Sequence, residues 1–173
     1  MTSGTYVAVV GPGDASAEQI AAAEEVGQGL ARSAATVVCG GLGGVMSAAC
    51  RGAAAAGGVT VGILPGADRA AANEWVSVAI PTGLGELRNG LVIRAADVVV
   101  AVGGAYGTLS EIALALKTGV PVVGLRSWDI EGIEPVSSAA EAVDRALELA
   151  RTRQERSAPA IRLRRWPPSS RRT

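Results

Sequence analysis

The chain has 173 residues, 49% of them hydrophobic and 18% charged, with a mean hydropathy of +0.31. That composition suits one domain with a substantial core and excludes a largely disordered chain. There is no histidine, which removes Ser-His-Asp triads, Cys-His dyads and histidine metal sites together. The net charge of zero hides an asymmetry. Residues 1–150 hold eight Lys/Arg against fifteen Asp/Glu, whereas residues 151–173 hold eight Arg and one acid, Glu155. Cys39 and Cys50 lie in apolar sequence outside any CxxC motif, so buried free thiols are expected. No apolar run reaches the ~18 residues of a membrane span. The first residues, MTSGTYVAVV, lack the basic region of a signal peptide, and the expectation is a cytoplasmic protein.

The body alternates between strand and helix patterns. Residues 5–10 form a β-rich run ending at Gly11-Pro12-Gly13. A helix opens at Ser16 and runs to about Ala34, with Ile20, Ala23, Val26 and Leu30 at helical spacing. Ser16 and Gln19 fit a capping box. Thr36–Cys39 is a second strand running into Gly40-Gly41-Leu42-Gly43-Gly44, and residues 45–56 are a small-residue helix stopped by Gly57. Residues 59–64 and 76–80 read as strands, and residues 85–96 as a helix. Val98–Val102 is a fifth strand, followed by Gly103-Gly104-Ala105-Tyr106-Gly107. A helix over 108–117, a sixth strand over 121–125 and a last helix over 138–150 complete the body. Strands such as VVVAV suit a sheet buried on both faces. The predicted fold is therefore α/β: a single doubly wound, Rossmann-like domain over residues 1–150 with a mainly parallel sheet. Residues 151–173, with Pro159, Pro167 and Pro168 and no apolar periodicity, read as a basic, disordered tail. Nucleic-acid binding by that tail is disfavoured against a merely solvated segment.

Three glycine-rich turns fall at strand carboxyl ends: GPGDAS at 11–16, GGLGG at 40–44 and GGAYGT at 103–108. Such turns let backbone amides and helix N-termini approach a phosphate. Their shared edge predicts a nucleotide or sugar-phosphate site where strand order reverses. None is a strict GxGxxG or a Walker A loop, which removes the usual signatures of hydride transfer and ATP hydrolysis. Thr108 and Glu111 admit two readings. They form a capping box, or the Thr108 hydroxyl holds a phosphate while Glu111 faces the ligand as acid or base. Arg88, at the start of a predicted helix, is unfavourable for the helix dipole unless an anion lies nearby. Arg94 reads as a surface residue and Asp97 as a turn residue.

The GGLGGVM segment at 40–46 and the VVVAVGGAYGTLSE segment at 98–111 resemble the LOG ("lonely guy") family, nucleotide-binding Rossmann-like proteins long mislabelled lysine decarboxylases. The resemblance spans roughly residues 5–150. It is nearest to the small bacterial branch that includes the molybdenum cofactor carrier proteins. Family enzymes hydrolyse the N-glycosidic bond of nucleoside 5′-monophosphates. The resemblance implies that Gly104, Gly107 and Thr108 hold the phosphate, that Glu111 matches the catalytic carboxylate and that Arg88 matches the catalytic arginine. Candidate ligand contacts on the three loops are then Gly11, Gly13, Gly41, Gly43, Gly44, Met46, Gly103, Gly104, Tyr106, Gly107 and Thr108. This chain departs from the family's PGGxGTxxE signature. Gly103 replaces its proline, Ala105 its second glycine, and Asn89 the lysine of an Arg-Lys pair. These departures place binding of a nucleotide or of the molybdenum cofactor ahead of turnover by a phosphoribohydrolase. A third reading is a module that binds macromolecules through its acidic body or basic tail. No metal site is expected. A homodimer or tetramer is, with helix 45–56 a candidate for close packing.

Overall fold

The computed structural model describes residues 4–157. Seven parallel strands form one sheet: β1 (Tyr6–Val10), β2 (Thr36–Cys39), β3 (Thr60–Leu64), β4 (Val78–Pro81), β5 (Val98–Val102), β6 (Val122–Leu125) and β7 (Ile133–Val136). Their spatial order is β4-β3-β2-β1-β5-β6-β7. The chain steps outward from β1 to β4, then returns to the other side of β1 as β5. Order therefore reverses between β1 and β5, where Val7 pairs with Val98 and Val10 with Ala101.

Five helices cover the two faces: α1 (Ala17–Arg32), α2 (Val45–Ala55), α3 (Asn89–Arg94), α4 (Tyr106–Lys117) and α5 (Ala139–Ser157). The period of two in a strand sorts the core. Val7, Val9, Val98 and Val100 pack with α1, α2 and α5, while Ala8, Val10, Val99 and Ala101 pack with α3 and α4. Both faces of the central strands are thus buried, as continuous Val/Ala runs require. Among the described helices, none is long and apolar enough to cross a membrane.

The sequence reading needs four amendments. β7 is an extra strand, half-buried at the sheet edge, and its IEPV sequence carries a proline and no apolar run. The segment expected as one helix over 85–96 is a 3₁₀ turn, Gly85–Arg88, followed by the short α3, because Gly85 takes a positive φ of 56°. The last helix continues beyond residue 150 to Ser157, and Arg153 donates to the carbonyls of Ala96 and Asp97. The rest of the basic segment lies outside the described residues. Finally, the small residues of α2 serve the chain itself. A Cβ at Gly27 would strike the Ala49 carbonyl, and one at Gly52 the Glu24 carbonyl. The α1 and α2 backbones touch there.

Asp97 does more than turn the chain. Its carboxylate accepts from the Tyr6 amide at 2.9 Å and from Gln154 at 2.9 Å, tying β1 and α5 to the start of β5. Cys39 and Cys50 are buried free thiols, as expected, with sulfurs 3.4 Å apart.

Candidate functional site

Loops 11–13, 40–46 and 103–108 converge with the 86–89 segment on a cavity of about 250 Å³ beyond the carboxyl ends of β1 and β5. Gly11, Gly13, Met46, Arg88, Gly107, Thr108 and Glu111 line it, so the structure unites seven of the predicted residues. Pro12, Leu42, Glu86, Asn89 and Ala105 complete the wall. Of these, Leu42 and Glu86 carried no sequence signal of their own; they sit beside the glycines and Arg88.

The remaining candidates stand back from this cavity. Gly41 has φ +75°, and a Cβ there would come within 2.6 Å of Leu64. A Cβ at Gly44, also at positive φ, would overlap the carbonyls of Pro12 and Gly13, and one at Gly103 would overlap Gln19. Gly104 lies against the Trp128 indole, and Tyr106 is 86% exposed. Packing accounts for these four glycines. It does not account for Gly13, Gly43 or Gly107, where an added Cβ would meet nothing within 4 Å. Gly13 and Gly107 face the cavity. A glycine with open space in front of it is what a backbone needs if a ligand is to approach it.

The helix starts at this edge carry no side-chain caps. α4 starts one residue after Ala105, and no side chain caps it. Of the two readings of Thr108 and Glu111, the capping box is therefore absent. Thr108 lies inside the first turn, 1% exposed, and its hydroxyl has no hydrogen-bond partner. α2 likewise starts at Gly44 with no side-chain cap, although its first amide, Val45 N–H, donates to the Pro12 carbonyl at 3.1 Å. An uncapped helix start leaves amide donors unsatisfied and carries the positive end of the helix dipole.

Arg88 is 6% exposed and enters the site from the 3₁₀ turn. Gly40 makes room for it, since a Cβ there would overlap the guanidinium. One guanidinium nitrogen, Nη1, donates to Asn89 Oδ1 at 3.0 Å and lies 3.7 Å from Glu111 Oε1. Asn89 in turn donates to Ser110 Oγ at 3.1 Å. The asparagine in place of the family lysine thus links Arg88 to α4. Arg88 Nε has no partner. Burial pushes the Glu111 carboxyl up to about 7; Arg88 draws it down and Glu86 adds to the rise. Glu111 therefore exchanges a proton near neutral pH. Among the described residues no group of three or more His, Cys, Asp or Glu forms a metal site.

A parallel α/β sheet with glycine loops and two helix starts without side-chain caps at its switch point defines the Rossmann-like class of α/β proteins. The model of the SLOG cluster4 family matches residues 4–156, and the chain belongs to that family. An uncharacterized protein of Archaeoglobus fulgidus is 38% identical over 139 residues, 80% of this chain and 91% of its own. The molybdenum cofactor binding protein of Rippkaea orientalis has a similar structure, with a TM-score of 0.80 and 34% identity over 86% of this chain and 98% of its own. The Moco carrier protein of Chlamydomonas reinhardtii superposes with a TM-score of 0.80 and 34% identity over 87% of this chain and 99% of its own. The resemblance carried by the two glycine motifs thus holds at the level of fold and family.

Proposed function

We propose that this protein binds a phosphate-bearing, nucleotide-like cofactor, with the molybdenum cofactor as the leading candidate, and acts as a carrier. The observation behind this reading is the meeting of two uncapped helix starts with two buried donors, Thr108 Oγ1 and Arg88 Nε, that have no partner. A buried donor without a partner costs about 1–3 kcal/mol. A phosphate in the cavity would satisfy both, together with the first-turn amides of α4. The similarity to two proteins named for binding or carrying this cofactor supports the same reading. The residues fit the phosphate of its pterin part. Gly107 and Gly13 allow close approach, Thr108 and Arg88 donate, and the chain's task is to hold and shield the organic moiety while the metal supplies the redox chemistry elsewhere.

The neutral-range proton exchange of Glu111 beside Arg88 favours one second reading, a nucleoside 5′-monophosphate phosphoribohydrolase. There Glu111 would steady an oxocarbenium-like centre or manage the proton of the leaving base. One experiment separates the two. The purified protein and Glu111→Gln are incubated with a panel of nucleoside 5′-monophosphates, and free base is quantified by chromatography. Protein-borne pterin is measured by its fluorescence after oxidation. Retained pterin with no base release supports the carrier; base release by the parent alone supports the hydrolase.

The carrier reading includes a homo-oligomer. Leu84, Leu87 and Leu91 are exposed on the α3 side, Leu87 by 82%, beside a hollow also lined by Leu114. An apolar face of this kind suits a second copy. Leu87→Glu should convert the assembly to monomer in light scattering.

A further inference from the structure

Three buried side-chain polar atoms among the described residues lack a hydrogen-bond partner. Two belong to the cavity described above. The third, Ser127 Oγ, belongs to a residue that lines a second, larger cavity of about 430 Å³ beyond β6 and β7. Trp128, Asp129, Ile130, Ile133 and Pro135 line this space too. One contact joins the walls of the two cavities. The Trp128 indole N–H donates to the Ala105 carbonyl at 3.4 Å, and Ala105 lines the first cavity. Gly104 admits the indole, since a Cβ there would lie 2.8 Å from Trp128 Nε1. Arg126 holds the chain in the left-handed region at φ +52° immediately before Ser127 and is anchored to Glu18 of α1 by an ion pair.

We infer that this second cavity takes the planar heterocycle of the ligand, of the 2-amino-4-oxo class that pterins and guanine share, while the first takes its phosphate. The inference rests on the phosphate reading for that division of the ligand, but the slot is argued from its own residues. An indole and aliphatic side chains lining one hollow offer apolar surface on which a flat ring can stack. The Asp129 carboxylate matches the adjacent ring N–H and amino donors of a 2-amino-4-oxo edge, and adenine lacks that pair. The Ser127 hydroxyl supplies a further polar contact that the chain itself leaves unused.

The test uses the full chain, titrated by calorimetry with neopterin, guanosine and adenosine, none of which carries phosphate, and separately with ribose 5-phosphate. Neopterin and guanosine should bind the parent, and adenosine about tenfold more weakly. Trp128→Ala should weaken neopterin about tenfold or more, while Trp128→Phe, which keeps a ring, should stay within about threefold. Ser127→Ala removes a hydroxyl with no partner. It should weaken neopterin about fivefold with no loss of Tm, which a merely structural serine would not do. Gly107→Val should spare neopterin and lose ribose 5-phosphate. Neopterin affinity unchanged in Trp128→Ala, adenosine bound as well as guanosine, or no heterocycle bound by the parent would each overturn the inference. If Gly107→Val retains ribose 5-phosphate while Trp128→Ala loses neopterin, the phosphate reading fails and the slot stands.

Discussion

Helices α1 and α5 begin differently from α2 and α4. At α1, Ser16 Oγ accepts from the Gln19 amide at 3.2 Å and Gln19 Oε1 accepts from the Ser16 amide at 2.9 Å. At α5, Ser138 accepts from the Glu141 amide and Glu141 from the Ser137 amide. Both starts are closed by their own side chains, which is worth about 1 kcal/mol each. α2 and α4 begin on Gly44 and Ala105, whose side chains cannot cap. Their starts flank the cavity between β1 and β5. The chain thus forgoes local stabilisation where, on our reading, a ligand supplies the missing acceptor. The same contrast divides the glycines. Those at 11, 44 and 103 are demanded by neighbouring atoms, and those at 13 and 107 by nothing the chain contains.

The comparison can be broken by substitution. Gly44→Ala should have the largest effect on the fold. It sets a Cβ against the Pro12 and Gly13 carbonyls at positive φ, for a loss of about 2–4 kcal/mol in denaturant unfolding. A stable Gly44→Ala would show that the α2 start is looser than described. Gly107→Val should do the reverse. Open space and a helical position leave Tm near that of the parent, whereas the affinity for ribose 5-phosphate should fall about 100-fold, or about 2.7 kcal/mol. Equal affinity would remove this loop from the site.

Glu111 gives a pH signature. Its folded-state pKa, about 7, lies above the ordinary 4.5. Its contribution to stability is therefore complete below pH 4.5 and is lost as pH rises through 7. Glu111→Gln should gain on the parent across that window by up to about 1.4 kcal/mol per pH unit, then level off. A flat difference would mean that Glu111 titrates as an exposed carboxylate.

The smallest effects compare a cap with a non-cap. Ser16→Ala should cost about 1 kcal/mol and leave ligand binding alone. Thr108→Ala removes a hydroxyl that has no partner. It should not lower unliganded stability, since it relieves an unsatisfied buried donor, and should weaken phosphate binding about fivefold. A Tm loss in Thr108→Ala as large as that in Ser16→Ala would restore the cap to Thr108.

Much of this was legible from residue order. Uninterrupted Val/Ala strands, short glycine turns and helical spacing of Ile20, Ala23, Val26 and Leu30 dictate a buried parallel sheet, because each signal is local and repeated. β7 escaped because an edge strand with Pro135 need not be apolar. The three loops and Arg88 were recognisable as candidates from glycine placement and from the family resemblance. Which glycines serve packing and which face open space was not, since that depends on atoms distant in the chain: Pro12 and Gly13 against Gly44, Trp128 against Gly104. The role of Glu111 was undecidable for the same reason. T-L-S-E is a cap if the helix starts at Thr108 and a buried acid if it starts at Tyr106. The structure starts it at Tyr106, turning Glu111 toward Arg88 in low-dielectric surroundings. Sequence determined the fold class and the edge of the sheet where the site lies, because periodicity and turn chemistry are short-range. Only tertiary structure decided which polar groups there are left unsatisfied, because satisfaction depends on every neighbour that folding brings near.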